Sequence, residues 1–147
     1  MKIAIVGYGK MGHMIEQCAK RAGHQVVVTI DVAAEDAMVK VAQGDAAAVA
    51  RAVKSSGAEG VIEFTHPTAV MANIEALLPL GLPLIVGTTG WNDKHEYVNE
   101  LAKKVGGSIM TAGNMSIGVN MFYRIVEEAA KIMSQFSDYD VAVWEMH

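Results

Sequence analysis

The chain has a single cysteine, three prolines, few aromatic residues (6%) and no excess of positive charge. One cysteine excludes a disulfide within the chain and suits a reducing compartment such as the cytoplasm. That cysteine, Cys18, falls on the expected apolar face of the first helix, which makes it a small core residue. A net charge of −4 offers no electrostatic footprint for nucleic acid or an acidic membrane, so neither is expected as a partner. No apolar run approaches the ~20 residues of a membrane span, and the most apolar stretch, Leu77 to Val86, is broken by Pro79 and Pro83. The amino end enters a strand and a glycine turn at once, which leaves no room for a signal peptide. Repeats and low-complexity segments are lacking, and no metal site is expected.

What is there is an ordinary globular composition. The 147 residues are 52% apolar and 19% charged, the size of one domain or of one domain and part of another. Ten methionines are many, and most fall at helical core spacing.

The most informative stretch is Gly7-Tyr8-Gly9-Lys10-Met11-Gly12, a G-x-G-x-x-G sequence. It follows the β-branched run Lys2 to Val6 and opens an amphipathic helix with Met11, Met14, Ile15, Cys18, Ala19 and Ala22 on its apolar face. Strand, glycine turn and helix in that order form the context in which these glycines bind a pyrophosphate. Gly7 makes the tight turn, Gly9 admits the phosphates to the backbone, and Gly12 lets helix and strand pack closely. A second strand, His24 to Asp31, ends on a carboxylate nineteen positions after Gly12, where a dinucleotide fold holds the adenosine ribose. Val32, Ala33 and Ala34 bring no cation for a 2′-phosphate, so NADH is expected to be preferred over NADPH, with Lys10 the residue that could still reach a phosphate.

Further along, Asp45 caps a helix through Val49 and Val53 that stops at Gly57. Gly60 to Thr65 is a third strand, in which Glu63 would be awkward if wholly buried. Pro67 is placed in the first turn of the next helix, which Pro79 ends. Leu82 to Val86 is a fourth strand, Asn92 caps a helix running to Gly106-Gly107, and Ser108 to Thr111 is a fifth strand. Strand and helix alternate without a hairpin signal. The expected fold is therefore α/β, a Rossmann-type doubly wound parallel sheet over residues 1–113. Ligands bind beyond the carboxyl ends of such strands, and the polar or glycine-rich segments 7–12, Asp31, 65–68, 87–90 and 112–116 all fall there. Residues 114–147 differ: a long helix, Met121 to Phe136, with a Glu127–Lys131 pair, precedes an alternating strand from Asp140 to His147.

G-Y-G-K-M-G at 7–12, E-F-T-H-P at 63–67, V-G-T-T-G at 86–90, G-N-M-S-I-G-V-N at 113–120 and E-M-H at 145–147 resemble the dihydrodipicolinate reductase (4-hydroxy-tetrahydrodipicolinate reductase) family of bacterial lysine and diaminopimelate biosynthesis. The resemblance implies a pyrophosphate site at Gly7, Tyr8, Gly9, Lys10, Met11 and Gly12, and a ribose site at Asp31. It implies a nicotinamide end lined by Gly87, Thr88, Thr89, Ala112, Gly113, Asn114 and Met115. His147 matches the family's acid/base histidine, a role that suits imidazole near neutral pH, and Glu145 lies two residues earlier on the same strand face. The implied reaction is NAD(P)H-dependent reduction of a cyclic imine dicarboxylate, dihydrodipicolinate, to tetrahydrodipicolinate.

The family continues past this histidine with a second histidine, a lysine and a Ser-Gly-Thr turn for the substrate carboxylates, and with an α+β substrate and oligomerisation domain that makes it a homotetramer. Residues 114–147 are thus expected to be only the hinge, helix and first strand of that domain. The expected behaviour is that of an amino-terminal portion that binds cofactor and is little active alone. Two alternatives stand beside it: a stand-alone nucleotide-binding module, and another dinucleotide-dependent amino-acid dehydrogenase.

Overall fold

The computed structural model describes residues 1–144 and 146. They fall into two compact units, Met1–Gly113 and Asn114–His147.

The first unit is a six-stranded, all-parallel sheet with helices on both faces, a Rossmann-type α/β fold. Its strands are β1 (Lys2–Val6), β2 (Gln25–Asp31), β3 (Val39–Lys40), β4 (Gly60–Glu63), β5 (Leu84–Val86) and β6 (Ile109–Thr111), in the spatial order β3-β2-β1-β4-β5-β6. Its helices are α1 (Lys10–Arg21), α2 (Ala46–Ser56), α3 (Val70–Leu77) and α4 (His95–Val105). Strand alternation sends Ile3 and Ile5 to one face, where Ala19 and Ile15 of α1 cover them. Ala4 and Val6 go to the other, against Val49 and Val53 of α2, Ile74 and Leu77 of α3 and Val98 of α4. One helix on one face and three on the other is what right-handed crossovers require when the chain steps outward from β1 in both directions. The reversal, between β1 and β4, is the topological switch point, with a crevice at the carboxyl ends of those strands.

Several local expectations change. The buried residues of α1 are Gly12 and Ala19, whereas Met11, Met14 and Cys18 are exposed. The helix is turned by about one residue because Gly12 is its point of contact: a Cβ there would lie 2.4 Å from the Gly7 carbonyl oxygen. Cys18 is therefore a surface thiol and not a core residue. Asn92 does not cap α4; it opens a short 3₁₀ turn, Asn92–Lys94, with no side-chain cap. Pro67 lies in a turn ahead of α3, where the Ala69 and Val70 N–H groups both donate to the His66 carbonyl (2.9 and 3.1 Å), so the helix proper starts three residues later. The two-residue β3 had no sequence signal of its own. It forms because Val39 and Lys40 can pair with Ile30 and Asp31. Asp45 does cap α2, accepting from the Ala48 N–H at 2.8 Å, and Gly57 ends it in a left-handed conformation.

The second unit is built on α5 (Ile117–Met133), with Ser116 as its N-cap and Lys131 bridging Glu127 and Glu128 at 2.8 and 2.9 Å. The helix starts four residues before the expected Met121, because the Ser116 hydroxyl accepts from the Val119 N–H and the Ser116 carbonyl from the Asn120 N–H. No residue of α5 is buried, and Phe122, Ile125, Ile132 and Phe136 are all more than half exposed. The strand expected from Asp140 onward is not formed by the described residues 140–144 and 146, because a strand needs a neighbour's ladder and they have none. Among the described residues no helix is long and apolar enough to cross a membrane.

Candidate functional site

The glycine loop leaves β1 at Gly7, whose φ of +91° suits only glycine; a Cβ there would stand 2.0 Å from the Phe64 carbonyl oxygen. Gly9 is the N-cap of α1 and carries no side chain to accept from its first turn. Those N–H groups therefore seek an acceptor elsewhere, which makes the turn a ready anion site. The tip of β2 completes the arrangement. Asp31 accepts from the Tyr8 N–H at 2.7 Å through Oδ2, and from the Ala33 and Ala34 N–H groups at 2.8 and 3.0 Å through Oδ1. Partial burial pushes its carboxyl up, but these backbone donors outweigh it and hold the pKa below the ordinary aspartate value. Asp31 is thus an ionised anchor for the glycine loop, with lone pairs to spare for hydroxyl donors.

Gly7, Gly9 and Asp31 line one side of a cavity of about 820 Å³ at the switch point. The other side comes from the 41–45 segment and from Phe64, Thr65, His66 and Asn73, none of which the glycine motif predicts. Among the described residues no lysine or arginine lines it, and two carboxylates, Asp31 and Asp45, do. A second cavity of about 180 Å³, over the ends of β5 and β6, is lined by Thr88, Thr89, Ala112 and Gly113 together with Trp91 and His95. The size of the first cavity, the bare backbone at Gly9 and the carboxylate at Asp31 together fit the nucleotide half of a dinucleotide.

The remaining expected site residues lie as follows. Tyr8 is buried: its ring stacks on His13 with centroids 4.1 Å apart, and its hydroxyl donates to Glu16, an interaction that pushes its pKa up to about 12. Only its backbone N–H is turned to Asp31. Lys10 and Met11 are exposed on the first turn of α1, and Gly87 is buried at the end of β5. Asn114 and Met115 belong to the second unit, where Asn114 Oδ1 accepts from the Ser116 N–H at 2.8 Å and Met115 is exposed. His147 and Glu145 lie outside the described residues.

Two features were missed by the motif. His13 places Nδ1 2.7 Å from the Gly9 carbonyl and Nε2 2.7 Å from Asp36 Oδ2. Two acceptors call for a doubly protonated ring, and the Asp36 carboxylate, then the Gly9 carbonyl, raise its pKa. The other is Glu63, which is completely buried. Thr65 Oγ1 and Asn73 Nδ2 (3.2 Å) donate to its Oε1, and Thr88 Oγ1 donates to its Oε2 at 2.7 Å. Burial raises its pKa against the opposing pull of these hydrogen bonds. A carboxylate inside an apolar strand, followed by a threonine, was the available signal.

Residues 1–115 match the family described as "Dihydrodipicolinate reductase, N-terminus". The chain belongs to this family. Among curated relatives, the 4-hydroxy-tetrahydrodipicolinate reductases of Christiangramia forsetii and Cupriavidus necator are 32% and 33% identical over the whole chain, which spans 56% and 58% of their respective lengths. The chain thus covers a little over half of the reductases it matches. Solved structures agree on the fold. The WlbA dehydrogenase of Thermus thermophilus, in complex with NAD and alpha-ketoglutarate, has a TM-score of 0.59 at 14% identity, over 97% of this chain and 48% of that one. A hyperthermophilic archaeal homoserine dehydrogenase in complex with NADPH has a TM-score of 0.56 at 12% identity, over 75% and 43% respectively.

Proposed function

We propose that the chain is the cofactor-binding portion of a 4-hydroxy-tetrahydrodipicolinate reductase, with NADH as its preferred cofactor. Membership of the reductase family and the NAD- and NADPH-bound dehydrogenases of similar fold support this reading. The observation that carries it is the large cavity at the switch point, which joins the glycine loop to the Asp31 carboxylate and has no lysine or arginine in its described lining. Backbone N–H groups at the start of α1 receive the pyrophosphate, and Asp31 accepts from the adenosine ribose hydroxyls while opposing a 2′-phosphate. Thr88, Thr89, Ala112 and Gly113 shape the nicotinamide end, with Gly87 behind them and Asn114 and Met115 following in sequence. Bound there, the nicotinamide supplies a hydride. The chain's own task is to hold and orient it, and His147 handles the proton on a cyclic imine dicarboxylate substrate.

On this reading Asn114–His147 begins a substrate and oligomerisation domain, so the 147 residues bind cofactor and turn over little substrate alone. Tetramer assembly requires the rest of that domain, and the working compartment is the cytoplasm. Titration of the chain with NADH and NADPH tests the cofactor assignment. NADH is expected to bind at least tenfold more tightly, and Asp31→Arg is expected to reverse the order. Tighter NADPH binding by the unsubstituted chain, or an Asp31→Arg variant with unchanged preference, would overturn it.

A further inference from the structure

Glu63 is the only completely buried ionisable side chain among the described residues, and every group hydrogen-bonded to it is neutral. Its neighbours across the sheet are Val6 of β1 and Val86 of β5; α3 contributes Asn73, and the loops after β4 and β5 contribute Thr65 and Thr88. The titratable groups on the loop after β4 and on α3 have other partners: His66 Nδ1 lies 3.0 Å from Thr68 Oγ1, and Glu75 accepts from the Tyr97 hydroxyl at 2.9 Å. Burying such a carboxylate is costly, and without a paired charge only its hydrogen bonds offset that cost.

What it organises is visible in the direction of the hydrogen bonds. Thr88 Oγ1 accepts the Thr65 N–H at 2.7 Å, so its own hydrogen is free to go to Glu63 Oε2. Thr65 Oγ1 accepts from Asn73 at 3.4 Å and gives its hydrogen to Glu63 Oε1. Both hydroxyls therefore depend on one acceptor, and a protonated carboxyl would have to turn one of these bonds around. Thr65 and Asn73 line the large cavity, whereas Thr88 lines the small one. The carboxylate ties the walls of both together from behind.

We propose that Glu63 is a positioning residue whose ionised carboxylate fixes Thr88 and Thr65, and through them the loop that receives the nicotinamide. This rests on the cofactor reading above for the identity of the ligand, but the linkage from Glu63 to the loop exists without it. Burial raises the pKa of Glu63 above the ordinary glutamate value, so the loop loosens as pH falls through that raised value. Asp31, shifted the other way, loses its charge only at lower pH.

Trp91 supplies a reporter, because its buried indole N–H donates to the Thr88 carbonyl at 2.6 Å. The exposed second tryptophan is removed by Trp144→Phe, and His95, whose ring lies tilted against Trp91 with centroids 4.3 Å apart, by His95→Gln. In that background the emission of Trp91 in the free 147-residue chain is expected to show a pH step above the ordinary glutamate range. Glu63→Gln should abolish the step and weaken NADH binding about tenfold, the cost of leaving one buried hydroxyl without its acceptor. Thr88→Val, which removes a donor to the carboxylate, should move the step to higher pH and serves as the deciding variant where Glu63→Gln does not fold. A step that persists in Glu63→Gln, or stays in place in Thr88→Val, overturns the proposal, as does a chain with no step at all. A chain that binds neither nucleotide, yet loses the step in Glu63→Gln, overturns the cofactor reading and leaves the Glu63 linkage standing.

Discussion

The helices of the first unit and α5 of the second carry similar amphipathic patterns and meet different ends. In Met1–Gly113, Leu77 of α3 is 1% exposed and packs with Val53, Ile74 and the strands β1, β4 and β5 into one core. In Asn114–His147, Phe122 of α5 sits on an equally regular apolar stripe and is 54% exposed. Capping and ion pairs suffice to write a helix: Ser116 starts α5, and Lys131 pairs with Glu127 and Glu128. Burial requires a second surface. A sheet provides one to each helix of the first unit, and the described residues of the second unit hold no sheet.

Glycine at the site should show the steepest contrast. Gly7→Ala forces a left-handed φ on alanine and drives its Cβ into the Phe64 carbonyl, so a loss of at least ~3 kcal/mol in urea unfolding is expected. A small loss would mean that β1 and β4 can separate at the switch point, against the tight packing inferred there. Next comes a pair of truncations that compares the units directly. Leu77→Ala should cost about 2–5 kcal/mol by the same measurement, and Phe122→Ala no more than about 0.5 kcal/mol. Comparable losses would show that the α5 stripe is covered in solution, and the contrast between the units would fall.

The smallest effect concerns the His13 bridge between the glycine loop and Asp36. The raised pKa of His13 means that its contribution to stability is fully present below the ordinary histidine value of 6.5 and is lost as pH rises through the folded-state value. The lowered pKa of Asp36 sets the opposite limit, at acid pH. The difference in melting temperature between the unsubstituted chain and His13→Gln should therefore shrink as the pH is raised through neutrality. A difference independent of pH would show that the ring acts by packing on Tyr8 alone.

Much of the candidate site's geometry was legible because local chemistry writes it. A strand, three glycines at fixed spacing and a carboxylate nineteen residues on are each demanded by backbone geometry or by a hydrogen bond to a specific atom. Asp45 and Gly57 marked the ends of α2 for the same reason. The rest was not local. Cys18 left the core because α1 turns about its Gly12 contact, and β3 needs Ile30 and Asp31 beside it to exist. The 65–68 turn was expected at the crevice, but residues 41–45 and Asn73 enter the cavity from elements that are remote in sequence.

By itself, then, the sequence determined the alternation of strand and helix, the parallel sheet that alternation implies, the glycine turn and the carboxylate beyond it. These follow from side-chain period and backbone freedom over a few neighbouring residues. Only the tertiary structure decided that Glu63 is completely buried, that Thr65, Asn73 and Thr88 converge on it, and that the stripe of α5 stays exposed. Those outcomes depend on which surfaces meet, and residues ten and twenty-five positions away from Glu63 along the chain supply two of its hydrogen bonds.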